Sequence, residues 1–70
     1  MHSANGAPHL SDRDVELLRH LAAGRSTSEI AAAMEISGNT VRTRIHRVWT
    51  KLDVTSRGDA VAAAEAHGVL

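Results

Sequence analysis

Four serines divide this chain into short segments, and each stands where an α-helix would begin. Three of them are followed three positions later by an acid, in the pattern of a capping box. The pairs are Ser11 with Asp14, Ser26 with Glu29, and Ser56 with Asp59. In such a pair the serine hydroxyl and the acid each accept a hydrogen bond from a backbone amide that the first turn leaves free. The chain is therefore predicted to form several short helices.

The remaining helix boundaries follow from a fourth serine and two glycines. Ser37 has no acid three positions later, so the first turn of its helix keeps free amides that suit a phosphate. Gly24 and Gly68 stand where glycine commonly ends a helix. Trp49 is the only aromatic residue, which disfavours a sheet built on aromatic cross-strand pairs. The predicted fold is all-α, with four helices near residues 12–23, 27–34, 38–52 and 57–67.

The third predicted helix has a narrow apolar stripe. Its members are spaced by four, three and four residues, which places them on one side of an α-helix. They are Val41, Ile45, Val48 and Leu52. Only a short segment around Ile36 separates this helix from the second one, which is typical of a helix-turn-helix. We expect the stripe to face the core and the opposite side to face a partner.

The charges are segregated, although 8 basic and 8 acidic residues give a net charge of zero. Residues 36–52 contain no acid and four cations, namely Arg42, Arg44, Arg47 and Lys51. All 8 acids lie in the rest of the chain. Charges that serve only solubility would be spread over the surface. A single basic helix in an otherwise acidic chain therefore favours a polyanionic binding partner.

Other function classes find little support in the residues. A chain of 70 residues is one small domain, without room for a large internal pocket. There is no cysteine, no glycine-rich phosphate loop and no pair of histidines at metal-ligand spacing. The serines and acids are explained by helix starts, and no apolar run approaches the length of a membrane span. We therefore expect no enzyme activity, cofactor, metal, small-molecule ligand or membrane insertion in this domain.

Ordered motifs from Leu10 to Leu70 carry a family resemblance. They include Leu10-Ser11, Ser26-x-x-Glu29-Ile30-Ala31, Ile36-Ser37-x-x-Thr40-Val41-Arg42, Lys51-Leu52-x-Val54, Arg57 and Ala60-Val61. Together they resemble the LuxR C-terminal (GerE, FixJ/NarL) type helix-turn-helix DNA-binding domain. The resemblance implies a bacterial, cytoplasmic protein, in which residues 10–70 are the output domain of a transcriptional or response regulator. Residues 1–9 are expected to be a flexible N-terminal segment.

The resemblance implies double-stranded DNA as the partner, with helix 38–52 in the major groove. It implies base contacts at Arg42, Thr43 and His46, and Asn39 shares their side of the helix and can also bond a base. Backbone contacts are expected from hydroxyls and cations around the two helix starts. They are Thr27, Ser28, Ser37, Thr40, Arg44, Arg47 and Lys51. Alternatives stay open: a merely solvated basic face, ordinary capping by Thr27 and Ser28, or a surface pair between Lys51 and Asp53.

Two further expectations concern the last helix. The resemblance implies a homodimer, weak in isolation, that forms through this helix at Ala63, Ala64 and His67 on inverted-repeat sites. It also implies an ion pair between Asp14 and Arg57 that ties the first helix to the fourth. The alternative function is a protein-interaction adaptor with the same fold that docks a protein partner or RNA polymerase. An acid on the outer side of helix 38–52 would favour that alternative, and none is present.

Overall fold

Four helices follow one another in the computed structural model, which describes residues 9–70. They are α1 (Asp12–Ala22), α2 (Thr27–Met34), α3 (Gly38–Leu52) and α4 (Arg57–Ala66). No strand occurs among the described residues, so the predicted all-α fold class is confirmed. The ends of α1 and α4 lie one residue earlier than predicted, because Ala23 and His67 act as C-caps. The expectation for residues 1–9 falls almost entirely outside the described residues.

Serine begins each of the four helices, as predicted. Ser11 and Ser26 form complete capping boxes with Asp14 and Glu29. Ser37 and Ser56 accept a hydrogen bond from the amide three residues later, but no side chain bonds back to either serine amide. The predicted box at Ser56 is therefore only half formed. Its φ of −145° differs from the −75° to −77° of the other three caps.

Left-handed residues follow the helices, and only two of them are the predicted glycines. Gly24 and Gly68 have φ values of 79° and 74°, and Glu35 and Asp53 have 58° and 57°. At Glu35 the chain leaves α2 and turns toward Ser37, and the Ile36 amide donates back to the Ala31 carbonyl at 3.0 Å. The turn of the helix-turn-helix thus uses a left-handed glutamate where glycine is the usual residue.

The core lies where the four helices meet, and α3 packs against each of the other three. Its buried apolar members are Leu17, Leu18, Leu21, Ile30, Met34, Val41, Val48, Leu52, Ala60 and Ala64. Three residues of the predicted α3 stripe are buried, and Ile45 packs partly buried against them. Trp49 is also half-buried against the core, as its position beside the stripe predicts. This packing fixes which side of α3 faces outward.

Two arginines tie the helix ends together. Arg13 donates to the Met34 carbonyl at the end of α2 over 3.4 Å. Arg57 donates to the Arg25 carbonyl, in the connection between α1 and α2, over 2.9 Å. The predicted Asp14–Arg57 pair does not form. Asp14 lies in the first turn of α1, while Arg57 lies beside the connection that follows the last turn. The end of α1 is roughly 12 Å from Asp14 along the helix axis.

Candidate nucleic-acid interface

The outer face of α3, which we define as Asn39, Arg42, Thr43 and His46, is exposed along its length. It lies opposite the buried stripe, and the segment that carries it contains no acid. The structure thus brings all four predicted base-contacting residues to one accessible surface. Their groups include hydrogen-bond donors, acceptors and a methyl group, which are the groups that can distinguish base pairs in a major groove.

Hydrogen bonds within the outer face restrict its side chains. Arg42 Nη1 donates to Asn39 Oδ1 over 3.1 Å, and Thr43 Oγ1 donates to the Asn39 carbonyl over 3.0 Å. Thr50 repeats the second arrangement farther along the helix, where its hydroxyl donates to the His46 carbonyl over 3.0 Å. Sequence patterns place these residues on one side of the helix, but they do not show which polar atoms are already occupied.

The first turn of α3 presents hydroxyls without an acid. Ser37 Oγ accepts from the Thr40 amide at 3.1 Å, and the two hydroxyls lie 2.9 Å apart. No carboxylate of this turn therefore offsets the positive end of the helix dipole. The remaining amides and hydroxyls of such a turn can donate hydrogen bonds to a phosphate oxygen.

The first turn of α2 differs, because an acid already occupies it. Glu29 Oε1 accepts from the Ser26 amide at 2.7 Å, and the Ser26 hydroxyl accepts from the Glu29 amide. The hydrogen bonds from the Ser26 backbone and side chain lower the pKa of Glu29 below its ordinary value, so the acid is charged at neutral pH. Thr27 is half-buried and Ser28 is exposed beside it. Any phosphate contact there would have to form next to a carboxylate.

Arg44 lies on the flank of α3 that it shares with Thr40, Arg47 and Lys51, because these positions are separated by whole turns. It is half-buried, and its Nε atom is buried without a hydrogen-bond partner among residues 9–70. Neither Arg44 nor Arg42 makes an ion pair with the described acids. Their charges are therefore available to an external anion.

Arg47 and Lys51 are held by a buried acid. Arg47 Nη2 lies 3.1 Å from Asp14 Oδ1, and Lys51 Nζ lies 2.8 Å from Asp14 Oδ2. The Ser11 amide also donates to Oδ2, at 3.1 Å. We call these three charged residues, Asp14, Arg47 and Lys51, the Asp14 cluster. The two cations were predicted to meet DNA phosphates, and the structure shows that they also join α1 to α3.

Burial of the Asp14 carboxylate opposes its ionisation, but the surrounding donors outweigh that effect. Hydrogen bonds from Lys51, the Ser11 amide and Arg47, together with the charge of Lys51, hold the pKa of Asp14 well below its ordinary value. The side chain is therefore ionised across the neutral range. Its position could have been found in the sequence, since Asp14 precedes Leu17, Leu18 and Leu21 by three, four and seven residues and shares their buried side.

One of the three predicted dimer residues does not lie on the surface. Ala64 is fully buried in the core at 0% exposure, so its side chain cannot meet a partner and that expectation is wrong. It faces inward because it lies one turn after Ala60, on the side of α4 that packs against α1 and α3. Ala63 is half-buried, and His67 is exposed just beyond the end of α4.

An open groove of about 510 Å³ lies beside the outer face, toward the C-terminal end of α3. Its lining residues are His46, Trp49, Thr50, Asp53, Val54 and Thr55.

Within residues 9–70, no three His, Asp or Glu side chains gather closely enough to hold a metal ion. In the same part of the chain, no helix is both long and apolar enough to cross a bilayer.

Comparison with known proteins gives consistent matches. The family described as "Bacterial regulatory proteins, luxR family" matches residues 8–64. The chain is 43% identical over 58 residues to the probable transcriptional regulatory protein NarL of Mycobacterium tuberculosis, covering 83% of this chain and 27% of that protein. It is 38% identical over 61 residues to the response regulator protein VraR of Staphylococcus aureus, covering 87% and 29%.

A solved structure matches as well. The crystal structure of the response regulator ChrA, from a heme-sensing two-component system, superposes with a TM-score of 0.86 at 35% sequence identity. The match covers 89% of this chain and 31% of that one. The chain thus spans between about a quarter and a third of the length of these three proteins.

Proposed function

The chain belongs to the luxR family of bacterial regulatory proteins, as its motifs predict, and we propose that it binds double-stranded DNA as the output domain of a transcriptional regulator. In this proposal residues 10–70 are the DNA-binding domain, and the protein works in the bacterial cytoplasm. The observation that carries the proposal is the exposed, acid-free outer face of α3, which includes Arg42 and lies beside Arg44. Neither arginine forms an ion pair with the acids of residues 9–70. The family is one of regulatory proteins and is not an enzyme class.

We place α3 in the major groove, with its outer face against the base edges. A helix fits that groove, and the second helix of a helix-turn-helix commonly reads it with residues of its N-terminal half. Asn39, Arg42, Thr43 and His46 all lie in that half or at the middle of α3. We assign sequence-specific recognition of DNA to this set of four residues.

Backbone contacts would position the domain without specifying a sequence. Ser37 and Thr40 supply hydroxyls at the start of α3, and Thr27 and Ser28 supply them at the start of α2, which would cross the backbone. Arg44 supplies a cation that no acid of the described residues neutralises. Arg47 and Lys51 supply two more cations, of which Asp14 neutralises one. The Arg47 side chain is 50% exposed, and an exposed cation can contact a phosphate while it remains near its acid.

We propose that two chains bind one site as a weak homodimer through the surface near Ala63 and His67. A single domain with few phosphate contacts binds weakly, and a second copy on the same duplex adds affinity by raising the effective concentration. RNA polymerase is a further partner that a DNA-bound regulator would meet. The alternative, a protein-interaction adaptor, would be supported if the domain bound a protein partner and had no affinity for DNA.

Replacing Arg44 by Gln tests the proposed contact between this residue and a DNA phosphate. Arg44 does not belong to the apolar core stripe of α3. We expect Arg44→Gln to weaken binding to unrelated duplexes by roughly three- to tenfold at low salt and to reduce the salt slope by about one. Fluorescence anisotropy with a labelled duplex measures both quantities. Arg19→Gln is the matched control, because Arg19 is an exposed arginine on α1. Equal losses in both variants would show that only net charge matters and would remove the assigned contact.

A further inference from the structure

The hydrogen bonds on the outer face distinguish side chains that can contact a base from a side chain that holds its neighbour in place. Asn39 accepts a bond from each of two neighbours, through Oδ1 from Arg42 and through its carbonyl from Thr43. These bonds occupy particular polar atoms and leave others free. On the basis of the proposed function, we propose that the outer face reads a guanine with Arg42 and the methyl group of a nearby thymine with Thr43, while Asn39 positions Arg42.

Arg42 is directed toward the start of α3. A Cβ atom added at Gly38 would lie 3.9 Å from Arg42 Nη1, which places the guanidinium over the first turn. A guanidinium has five N–H donors in a fixed plane, so several remain after one bond to Asn39. Guanine presents two acceptors, O6 and N7, and two N–H groups of one guanidinium can donate to both at once. A restrained arginine at the groove-facing end of the helix therefore suits guanine.

Asn39 is a positioning residue in this arrangement. An asparagine that reads adenine uses its amide oxygen and its amide nitrogen at the same time. Here the oxygen already accepts from Arg42 at 3.1 Å. The oxygen has two lone pairs, so one acceptor site remains, but the bond to Arg42 holds the amide and the guanidinium together. We therefore assign Asn39 the role of holding Arg42 in place.

Thr43 meets the groove with its methyl group. Its hydroxyl donates to the Asn39 carbonyl of its own helix at 3.0 Å, which turns the hydroxyl toward the backbone and occupies its only proton. The hydroxyl oxygen can still accept a bond, and the methyl group is the one apolar group that this exposed side chain can offer to a base. The C5 methyl of thymine is the apolar group that a major groove offers, and threonine methyls pack against it.

Thr50 provides a matched control on the same helix. It is exposed, and its hydroxyl donates to the carbonyl four residues earlier over the same distance of 3.0 Å. It lies about two turns closer to the C-terminus, away from the end of the helix that reads bases. Thr→Ser removes one methyl group at either position and keeps the hydroxyl that bonds the backbone.

The test begins with duplexes that this chain selects from a random library at about 50 mM salt, where electrostatic binding is strong. In the selected duplex each thymine of the common sequence is replaced in turn by deoxyuridine, which lacks only the methyl group. We expect one such replacement to weaken binding of the unaltered chain and of Thr50→Ser by about fourfold, the worth of one buried methyl group. For Thr43→Ser the same replacement should cost nothing.

A second substitution in the duplex tests Arg42 and Asn39. Replacing the selected guanine by 7-deazaguanine removes the N7 acceptor and should weaken binding roughly fivefold. The cost should vanish in Arg42→Ala and shrink in Asn39→Ala, which retains the carbonyl that Thr43 uses. A merely structural role for Asn39 would lower affinity for both duplexes equally and leave their ratio unchanged.

The possible failures are distinguishable. If no duplex binds at low salt, the proposed function fails and the inference fails with it. If duplexes are selected but contain no common guanine and thymine, the inference alone is wrong. It is also wrong if the uracil replacement costs Thr43→Ser as much as it costs Thr50→Ser. Circular dichroism at the binding temperature shows that each compared variant is folded.

Discussion

Asp14→Asn is expected to lower the free energy of unfolding by about 2–3 kcal/mol. Asp14 is 1% exposed and accepts hydrogen bonds from Arg47, Lys51 and the Ser11 amide. An asparagine in its place keeps one oxygen, and its amide nitrogen then faces a cation. The Arg47 side chain is 50% exposed, so solvent weakens its ion pair with Asp14, and breaking that pair costs less stability than breaking a buried one. Even so, the change removes much of the stability of a domain this small, and the thermal midpoint should fall by roughly 10–20 °C.

The pH dependence of this effect has a definite sign. Because the pKa of Asp14 is lowered in the folded state, its stabilising contribution is fully present above the ordinary carboxyl pKa of about 4. It is lost as the pH falls from there through the lower pKa of the folded state. The difference in unfolding free energy between the unaltered chain and Asp14→Asn should therefore be largest near neutrality and shrink below pH of about 4.

Asp12→Asn is the matched control, since Asp12 is an exposed acid in the same first turn of α1. We expect it to change stability by less than about 0.5 kcal/mol. Thermal and urea unfolding, followed by circular dichroism, measure both variants. Equal losses in the two variants would mean that helix-dipole effects alone explain Asp14, and the Asp14 cluster would have no special role.

Affinity for an unrelated duplex is expected to fall roughly 40-fold per bound chain when salt rises from about 50 to 200 mM. The proposed contact surface of α3 has four cations, Arg42, Arg44, Arg47 and Lys51, and the paired Asp14 leaves it with three net positive charges. Each neutralised phosphate releases counterions, which makes binding depend steeply on salt. Anisotropy titrations at several salt concentrations give the slope directly.

Arg19→Gln should leave this slope unchanged, because it removes an equal charge from α1 and not from the proposed contact surface. An affinity that barely responds to salt would contradict the proposed mode of binding. It would point instead to apolar contacts, for which the groove beside Trp49 and Val54 offers a surface.

The fold was largely predictable from local signals. The serine caps at Ser11, Ser26 and Ser37 mark helix starts because the chemistry of the first turn is local. The α3 stripe was predictable from its spacing for the same reason. The ends of α2 and α3 lie where they were predicted. No glycine marks them, since Glu35 and Asp53 adopt the left-handed conformations that glycine usually provides. The residues that follow them, Ile36 and Val54, pack against the core and donate back to the helix carbonyls. That packing depends on the tertiary fold, which the local sequence does not report.

The candidate site was predictable as a surface but not as a set of bonds. Helical spacing placed Arg42, Thr43 and His46 on one side because the period of a helix is fixed. Which partner Asp14 chooses depends on how α1 crosses α3, which is a long-range property. The family resemblance implied Arg57 as the partner, whereas the structure shows Arg47 and Lys51. The burial of Ala64 was hidden because its helix is rich in alanine on several sides.

Amide chemical-shift mapping of the labelled chain with an unrelated duplex, at low and then at higher salt, tests the DNA-binding proposal most directly. Non-specific electrostatic binding needs no known operator, so the measurement can be made at once. We predict shifts confined to residues near 27–28 and 37–51 that fade as salt rises. An absence of shifts there, or shifts centred on α4, would contradict DNA binding by α3 and favour the adaptor alternative.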